Sequence, residues 1–379
     1  MDLTLTETQN MFKKVAADFV KAEAPPHVLT QWYLKKQTAQ VELYRKAADL
    51  GWLGMMLPEE FGGADASATD CAVVFEELGR GPLPGPFFSS GVLSAQLVME
   101  GGSDAQKKSL LPDICSGKDI MIPAITDRGA HWGPELVETR MSKSGSGFVL
   151  DGKKKFVYDA EAATSLICAA RTENGEIALV IVDRASPGIS ITPHQGFGVS
   201  IAEVCFDKVQ VPAANVLAGA GWLILDRALE KTLPVLCAYQ IGGCQEVFDF
   251  TAEYTRTRVV FGQPIGRFQR VQDHFVDLSV HLDAARLATY ETLWKLDAGL
   301  PARASVHEAK AVSSDAYYQV CNYAHMVFAG PGTDYQHPLM AHSVLAHTLY
   351  QYLGTPLYHK HKMMDALYSR TGEQSKSKN

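Results

Sequence analysis

The segment Tyr254–Gln269, YTRTRVVFGQPIGRFQ, sits between two long runs of helical periodicity, Trp222 to Thr257 and Phe268 to Ala298. A third run follows from Ala302 to Phe328. Long amphipathic helices joined by short connections commonly pack as a bundle, so the carboxyl-terminal part reads as one. Upstream, from about residue 120 to 215, the pattern changes to short runs rich in β-formers: IMIPAI, FVL, KKKFVY, SLICAA, IALVIV and AEVCFDKVQV. Turn chemistry separates them, at Gly145-Ser146-Gly147, Asp151-Gly152, Asn174-Gly175 and Pro187-Gly188. Asp-Gly between apolar runs predicts a hairpin, so this region reads as an antiparallel β-domain, a small barrel or sandwich.

Residues before about 119 return to helical spacing. Thr4 and Glu7 have the spacing of a capping box, and Met11, Phe12, Val15 and Phe19 follow at helical intervals. Val41, Tyr44, Ala47 and Leu50 form a second face that ends at Gly51, and Val73 to Leu78 a third. The expected fold is therefore α+β and multi-domain. It has a helical domain over 1–119, a β-domain over 120–215 and a helical bundle over 216–379.

The chain has 379 residues, 46% hydrophobic and 20% charged, which places it among folded multi-domain proteins and not disordered ones. Its net charge of −7 offers no basic excess for a nucleic-acid backbone. No apolar run is long enough to span a bilayer, and MDLTLTETQ has neither the basic nor the apolar part of a secretory signal. The seven cysteines are single and scattered, without a CxxC pair, which argues against a zinc site or disulfide framework and for a cytoplasmic setting. His359 and His361 lie two apart, on different helix faces, so no metal site is expected there and a solvated basic face is. AGAGW, Ala218 to Trp222, lacks the third glycine and the βαβ frame of a dinucleotide fingerprint and reads as a strand-to-helix junction.

Helical, then β, then helical segments in this order resemble the flavin-dependent acyl-CoA dehydrogenase superfamily over nearly the whole chain. The most specific part is Arg258, Phe261-Gly262, Pro264-Ile265 and Gln269; PEEFGG at Pro58, FEELGRG at Phe75 and LDGKKKFV at Leu150 support it. The resemblance implies an FAD cofactor, an acyl-CoA thioester substrate, a homo- or hetero-oligomer built as a dimer of dimers, and electron-transferring flavoprotein as a partner. It also implies cofactor contacts. Thr126 would hydrogen-bond the flavin ring, Phe156 would pack on it and the Tyr158 hydroxyl would lie near N5. Arg258, Phe261 and Gln269 would reach the FAD of a neighbouring subunit, and Thr355 another part of the cofactor. The loop Gly81–Ser90 would line the acyl pocket, with Phe87 and Phe88 suited to an apolar group.

The family's chemistry needs a desolvated carboxylate to take the proton next to the thioester, and donors on the thioester oxygen. The usual Tyr-Glu-Gly-Thr motif corresponds here to Tyr352-Leu353-Gly354-Thr355, so Leu353 stands in the glutamate's place. The family's alternative position corresponds to Thr232. Met326, Trp132 and Leu233 depart from the pattern too, and Glu230 matches an acidic residue near the CoA chain. Three readings follow: an enzyme with a relocated base, for which Glu230, Asp334 and Asp226 are the nearby carboxylates; a silent subunit that completes FAD sites in a heteromer; or other flavin chemistry on an acyl-CoA. A cyclic or bulky acyl group would account for a relocated base. Glu230, Thr232 and Leu353 are the expected substrate neighbours.

Overall fold

The computed structural model describes residues 4–35, 39–128, 132–194 and 199–376, with side chains as far as Tyr368. The helices are α1 (Glu7–Glu23), α2 (Pro26–Leu34), α3 (Val41–Asp49), α4 (Ala68–Arg80), α5 (Ala95–Gly101), α6 (Asp104–Cys115), α7 (Gly221–Thr257), α8 (Gln269–Asp297), α9 (Arg303–Phe328), α10 (Pro338–Gln351) and α11 (Pro356–Lys376). The strands are β1 (Met121–Ala124), β2 (Arg140–Ser144), β3 (Gly147–Tyr158), β4 (Ser165–Thr172), β5 (Ile177–Asp183), β6 (Ile189–Pro193), β7 (Ile201–Pro212), β8 (Val259–Val260) and β9 (Gln263–Pro264). The chain divides into two compact units. The bundle unit comprises residues 1–35, 68–83 and 233–379; the sheet unit comprises 36–67 and 84–232.

In the bundle unit α9 packs on α8, α10 and α11, while α4 packs on α1 and α8. The capping box of α1 is Thr6 with Gln9, not Thr4 with Glu7 as the sequence suggested. Only there do both reciprocal hydrogen bonds form. A Cβ at Gly79 would lie 1.9 Å from the Tyr239 carbonyl oxygen, and one at Gly242 would lie 1.8 Å from that of Glu76. Both positions on α4 and α7 therefore require glycine. The close approach leaves Glu76 buried, where it accepts the Tyr290 hydroxyl and faces Arg286 at 3.5 Å. Between α7 and α8, β8 and β9 form a two-residue hairpin with Phe261 and Gly262 at its tip. Their φ angles of 54° and 78° are the paired left-handed values of a type I′ turn.

The sheet unit holds one seven-stranded sheet in the order β1-β4-β2-β3-β7-β6, with β5 branching from β4. It is mixed, not antiparallel as the strand pattern suggested: β1 and β2 both run parallel to β4. β1 and β4 are joined by a long connection that contains the β2–β3 hairpin, and such a connection permits parallel pairing. That hairpin turns at Gly145-Ser146. Asp151-Gly152 is no turn but an irregularity inside β3, where the register against β7 shifts. A Cβ at Gly152 would come within 2.7 Å of Thr139 Cα, so glycine serves close approach there. All seven cysteines are unpaired, six of them buried. Among the described residues no helix is long and apolar enough to cross a membrane.

One ion pair in the sheet unit has both partners out of water. Lys154, on β3, and Asp127, just after β1, are 0% and 2% exposed, with Nζ 2.5 Å from Oδ2. Lys154 also donates to the Ile125 carbonyl at 3.1 Å, and Asp127 Oδ1 accepts the Thr139 amide and hydroxyl. Removing one member of such a pair strands the other charge, whereas replacing both by apolar groups removes the desolvation cost. Lys154→Met should lower unfolding stability by about 3–5 kcal/mol, and Lys154→Met with Asp127→Leu should recover more than half of the loss. Denaturant midpoints of the three proteins check this; a single variant as stable as the parent would refute the pair's role.

Candidate functional site

Within the sheet unit, the strand β3 presents the residues expected against a flavin. Its register against β7 shifts between Lys154 and Val157, and Phe156 adopts φ 53°. A bulge re-aims side chains, and here Lys154 and Val157 are buried while Phe156 and Tyr158 both remain half-exposed. The Phe156 ring lies 5.2 Å from that of His194. Thr126 is half-buried, and its carbonyl accepts the Lys155 amide at 2.7 Å. Thr126 and Phe156 are thus carried by two segments that Lys154 and Asp127 join. Burial and the neighbouring Asp159 charge push the Tyr158 hydroxyl well above its ordinary pKa, so it stays protonated and can donate.

Asp159 was not anticipated. It follows Tyr158 at φ 58°, and its Oδ2 accepts the Ser89 hydroxyl at 2.6 Å. Desolvation pushes its carboxyl up to about 6, against a smaller lowering by Ser89. A carboxylate directly after the two aromatic residues was the available signal. Ser89 opens a π-helical turn, Ser89–Ser94, in which all three serines are buried. Ser90 meets the Tyr44 hydroxyl at 2.8 Å and the Met121 amide at 3.1 Å. Phe87 and Phe88 are buried too, and Phe87 packs 6.3 Å from the Tyr44 ring, so both serve the core. The rings of Trp132 and Trp222 lie 5.8 Å apart, tilted at 54°, and neither indole N–H has a hydrogen-bond partner among the described residues. Glu230 and Asp226 are half-buried on α7. Thr232 is fully buried, with its hydroxyl spent on the Ala228 carbonyl at 2.8 Å.

The bundle unit carries the remaining positions. Phe261 is 92% exposed at the hairpin tip, Arg258 is exposed at its base, and Gln269 is exposed as the first residue of α8. Phe268 caps α8 without a side-chain acceptor; the Val271 amide turns back to the Phe268 carbonyl, and among the described residues the Gln269 and Arg270 amides have no acceptor. Those donors, two nearby arginines (Arg258 and Arg267) and an exposed aromatic ring fit a dinucleotide diphosphate with its adenine. Asp334 is exposed, and its Oδ1 accepts the Gln336 amide in a tight turn, so it lacks the desolvation a base needs. Thr355 caps α11 by accepting the Tyr358 amide at 3.2 Å. Leu353 is buried and left-handed, φ 61°.

The turn at Leu353 rests on a buried polar group. His359 Nε2 meets the Leu353 carbonyl at 3.1 Å, and His359 Nδ1 meets His307 Nδ1 at 2.9 Å. His359 is therefore not on a solvated face as its spacing suggested; only His361 is exposed. Burial holds His307 down to about 4 and His359 to about 2, so both are neutral at pH 7. Lys310, fully buried, donates to Ser314 and to the Leu349 carbonyl; burial lowers it to about 8. Among the described residues no three His, Cys, Asp or Glu side chains converge as a metal site would need.

Three family signatures match in order: acyl-CoA dehydrogenase N-terminal domain over 6–118, middle domain over 123–209 and C-terminal domain over 219–367. The chain belongs to the acyl-CoA dehydrogenase superfamily. It is 28% identical to a probable acyl-CoA dehydrogenase, YngJ, of Bacillus subtilis, over 88% of this chain and 90% of that one. Butyryl-CoA dehydrogenase from Megasphaera elsdenii superposes with TM-score 0.89 at 26% identity, covering 97% of this chain and all of that one. The ChsE4-ChsE5 complex from Mycobacterium tuberculosis contains a chain that superposes with TM-score 0.88 at 25% identity, covering 97% and 99%. An acyl-CoA dehydrogenase-type flavoprotein is thus the family to which the geometry above belongs.

Asp159 gives a pH test. Its folded pKa of about 6 lies above the ordinary 3.8, so the folded state holds the proton more tightly than the unfolded chain. Ionisation then costs stability as pH rises from about 4 through 6, and below that window the cost vanishes. The rise from 3.8 to about 6 corresponds to about 3 kcal/mol. Asp159→Asn should raise unfolding stability by about 2–3 kcal/mol at pH 8 and by far less at pH 4. Denaturation curves at both pH values measure it, and an equal change at the two would show that Asp159 is not desolvated.

Proposed function

We propose that the protein is an FAD-dependent oxidoreductase component acting in α,β-dehydrogenation of an acyl-CoA thioester, in an oligomer that shares FAD sites between subunits. The observation that carries this reading is the hairpin between α7 and α8. An almost fully exposed phenylalanine on a type I′ turn, edge-on to Phe268 at 6.4 Å, stands beside Arg258 and the N-terminus of α8. It suits the diphosphate and adenine end of a neighbour's FAD. Val276, Val280, Leu287 and Trp294 also stand exposed along α8 and supply an apolar stripe for association.

FAD, when bound, supplies the hydride acceptor. This chain's part is to hold and orient. Phe156 gives the ring an apolar wall, the Tyr158 hydroxyl and Thr126 give polar contacts, and Thr355 supports a further cofactor contact. The Leu353 amide is placed on a fixed turn and can polarise a thioester carbonyl. Trp132 and Trp222 offer two indole donors for acceptors of the cofactor or the CoA chain. Of the three carboxylates named as bases, Glu230 and Asp226 on α7 are half-buried and suit a base better than the exposed Asp334.

A second reading is a silent subunit that completes the FAD sites of an active partner. It is favoured by the pair of positions without a base: Leu353 has no acid function, and the Thr232 hydroxyl is committed to its own helix. The similarity to a chain of the two-component ChsE4-ChsE5 complex supports it.

Phe261→Ala, at an exposed tip, should leave the fold intact and lower FAD retention at least tenfold, read from the flavin absorbance of the purified protein. Unchanged retention would remove the hairpin from the cofactor site. Anaerobic addition of acyl-CoA thioesters to the wild type then separates the readings. Bleaching of the flavin by the protein alone supports an active enzyme, and bleaching only after co-expression with a paralogous subunit supports the silent one.

A further inference from the structure

We propose that Lys310 is a positioning residue for thioester binding: its buried ammonium takes the Leu349 carbonyl in place of the Leu353 amide and leaves that amide free to donate to the thioester oxygen. The inference rests on the acyl-thioester reading and adds the residue that frees its hydrogen-bond donor. All the residues involved lie in the bundle unit.

In an α-helix each carbonyl accepts the amide four residues on. Continued past Gln351, α10 would give the Leu349 carbonyl to the Leu353 amide. Lys310 Nζ holds that carbonyl instead, at 3.1 Å. The chain leaves the helix in a tight turn. Tyr352 has φ −63° and ψ 126°, Leu353 has φ 61°, and the Gly354 amide returns to the Gln351 carbonyl at 3.2 Å. These angles are those of a type II turn, which favours glycine or asparagine where Leu353 stands. The Leu353 amide has no acceptor among the described residues, although the residue is only 4% exposed. A buried N–H left without an acceptor is rare and costly, so it points to a ligand oxygen.

Lys310 itself is fully buried. Its ammonium donates to Ser314 Oγ at 2.7 Å and to the Leu349 carbonyl, and among the described residues no carboxylate pairs with it. A buried charge without a counter-charge is a poor source of stability. What the ammonium supplies is a donor on a helix carbonyl, delivered from α9, that spares a backbone N–H.

The other side of the turn is fixed as well. A carbonyl only accepts, so His359 Nε2 carries the proton in its 3.1 Å contact with Leu353. The Nδ1 of that neutral ring then accepts, and His307 Nδ1 donates to it at 2.9 Å. Gly354 makes room for this contact, because a Cβ there would lie 2.9 Å from His359 Nε2. With its carbonyl held by His359 and its helical acceptor taken by Lys310, Leu353 does not close back into α10. One neutral, desolvated N–H suits a carbonyl oxygen, and its hydrogen bond strengthens as negative charge develops there.

The test is isotope-edited infrared spectroscopy of butyryl-CoA and octanoyl-CoA, each carrying a heavy carbon at the thioester carbonyl. They are bound to the FAD-loaded protein with its flavin reduced, so that a saturated thioester is not oxidised. Binding to the wild type should move the carbonyl stretch to lower frequency. Lys310→Met should lose most of that shift and bind about tenfold more weakly, without loss of unfolding stability. A lysine with a merely structural role would show the opposite, lower stability with the shift of the bound thioester in place. Lys310→Arg, which keeps a cationic donor at that position, should retain the shift and serves if the first variant folds poorly. A shift that survives Lys310→Met, or that a folded Lys310→Arg loses, overturns the proposal. A thioester that binds the wild type with no carbonyl shift overturns it also and leaves the thioester reading standing. If neither thioester binds the wild type, the thioester reading itself fails and the inference falls with it.

Discussion

The sheet unit's chemistry depends on one buried ion pair. Asp127 lies one residue from Thr126, and Lys154 lies two residues from Phe156 and four from Tyr158. With Lys154 also bonded to the Ile125 carbonyl and the Lys155 amide to the Thr126 carbonyl, the two segments cannot shift independently. A buried pair of this kind is a poor source of net stability, because desolvation consumes most of the Coulomb attraction. What it provides is register. Sliding β3 by one residue would bury Phe156 and expose Lys154, and would leave Asp127 charged in an apolar interior. The bulge beside Lys154 then follows: it lets one strand keep Lys154 and Val157 inward while releasing Phe156 and Tyr158.

The long helices were legible because their apolar period extends over many turns, and the three runs in the carboxyl-terminal half match α7, α8 and α9 closely. Tyr254–Gln269 was legible as a connection for the same reason: it breaks that period on both sides. The sheet was less so. Period-two alternation identifies strands but says nothing of direction, and the parallel pairing of β1 and β2 with β4 leaves no local mark. Asp151-Gly152 looked like a turn because its composition matches one; only Thr139 passing close to Gly152 shows that glycine serves another purpose there. His359 misled likewise, since its partner His307 lies far away in sequence.

The candidate site divides in the same way. Positions defined by family pattern, such as Phe156, Tyr158, Arg258 and Phe261, could be named in advance, because a motif carries them. Asp159 could not, because its hydrogen-bond partner Ser89 lies seventy residues earlier. Asp334 and Glu230 were both candidates on sequence. Exposure separates them, Asp334 being exposed and Glu230 half-buried, and a sequence does not record it.

Leu353 is the sharpest case of a position whose side chain and backbone carry different information. A left-handed leucine is strained by about 1–2 kcal/mol relative to an ordinary conformation. Such strain persists only when neighbours fix the turn. Here His359 holds the Leu353 carbonyl, Lys310 holds the carbonyl of Leu349, and Thr355 caps the next helix. The neutral state of His307 and His359 makes that support independent of pH near 7. The turn is therefore held in this form around a leucine side chain, which has no acid function. A backbone held in strained form needs a reason, and the polar group this turn could offer a ligand is the Leu353 amide. That role is compatible with a relocated base and with a binding subunit alike, which is why the turn's geometry bears on thioester binding and the choice between those two readings falls to other residues.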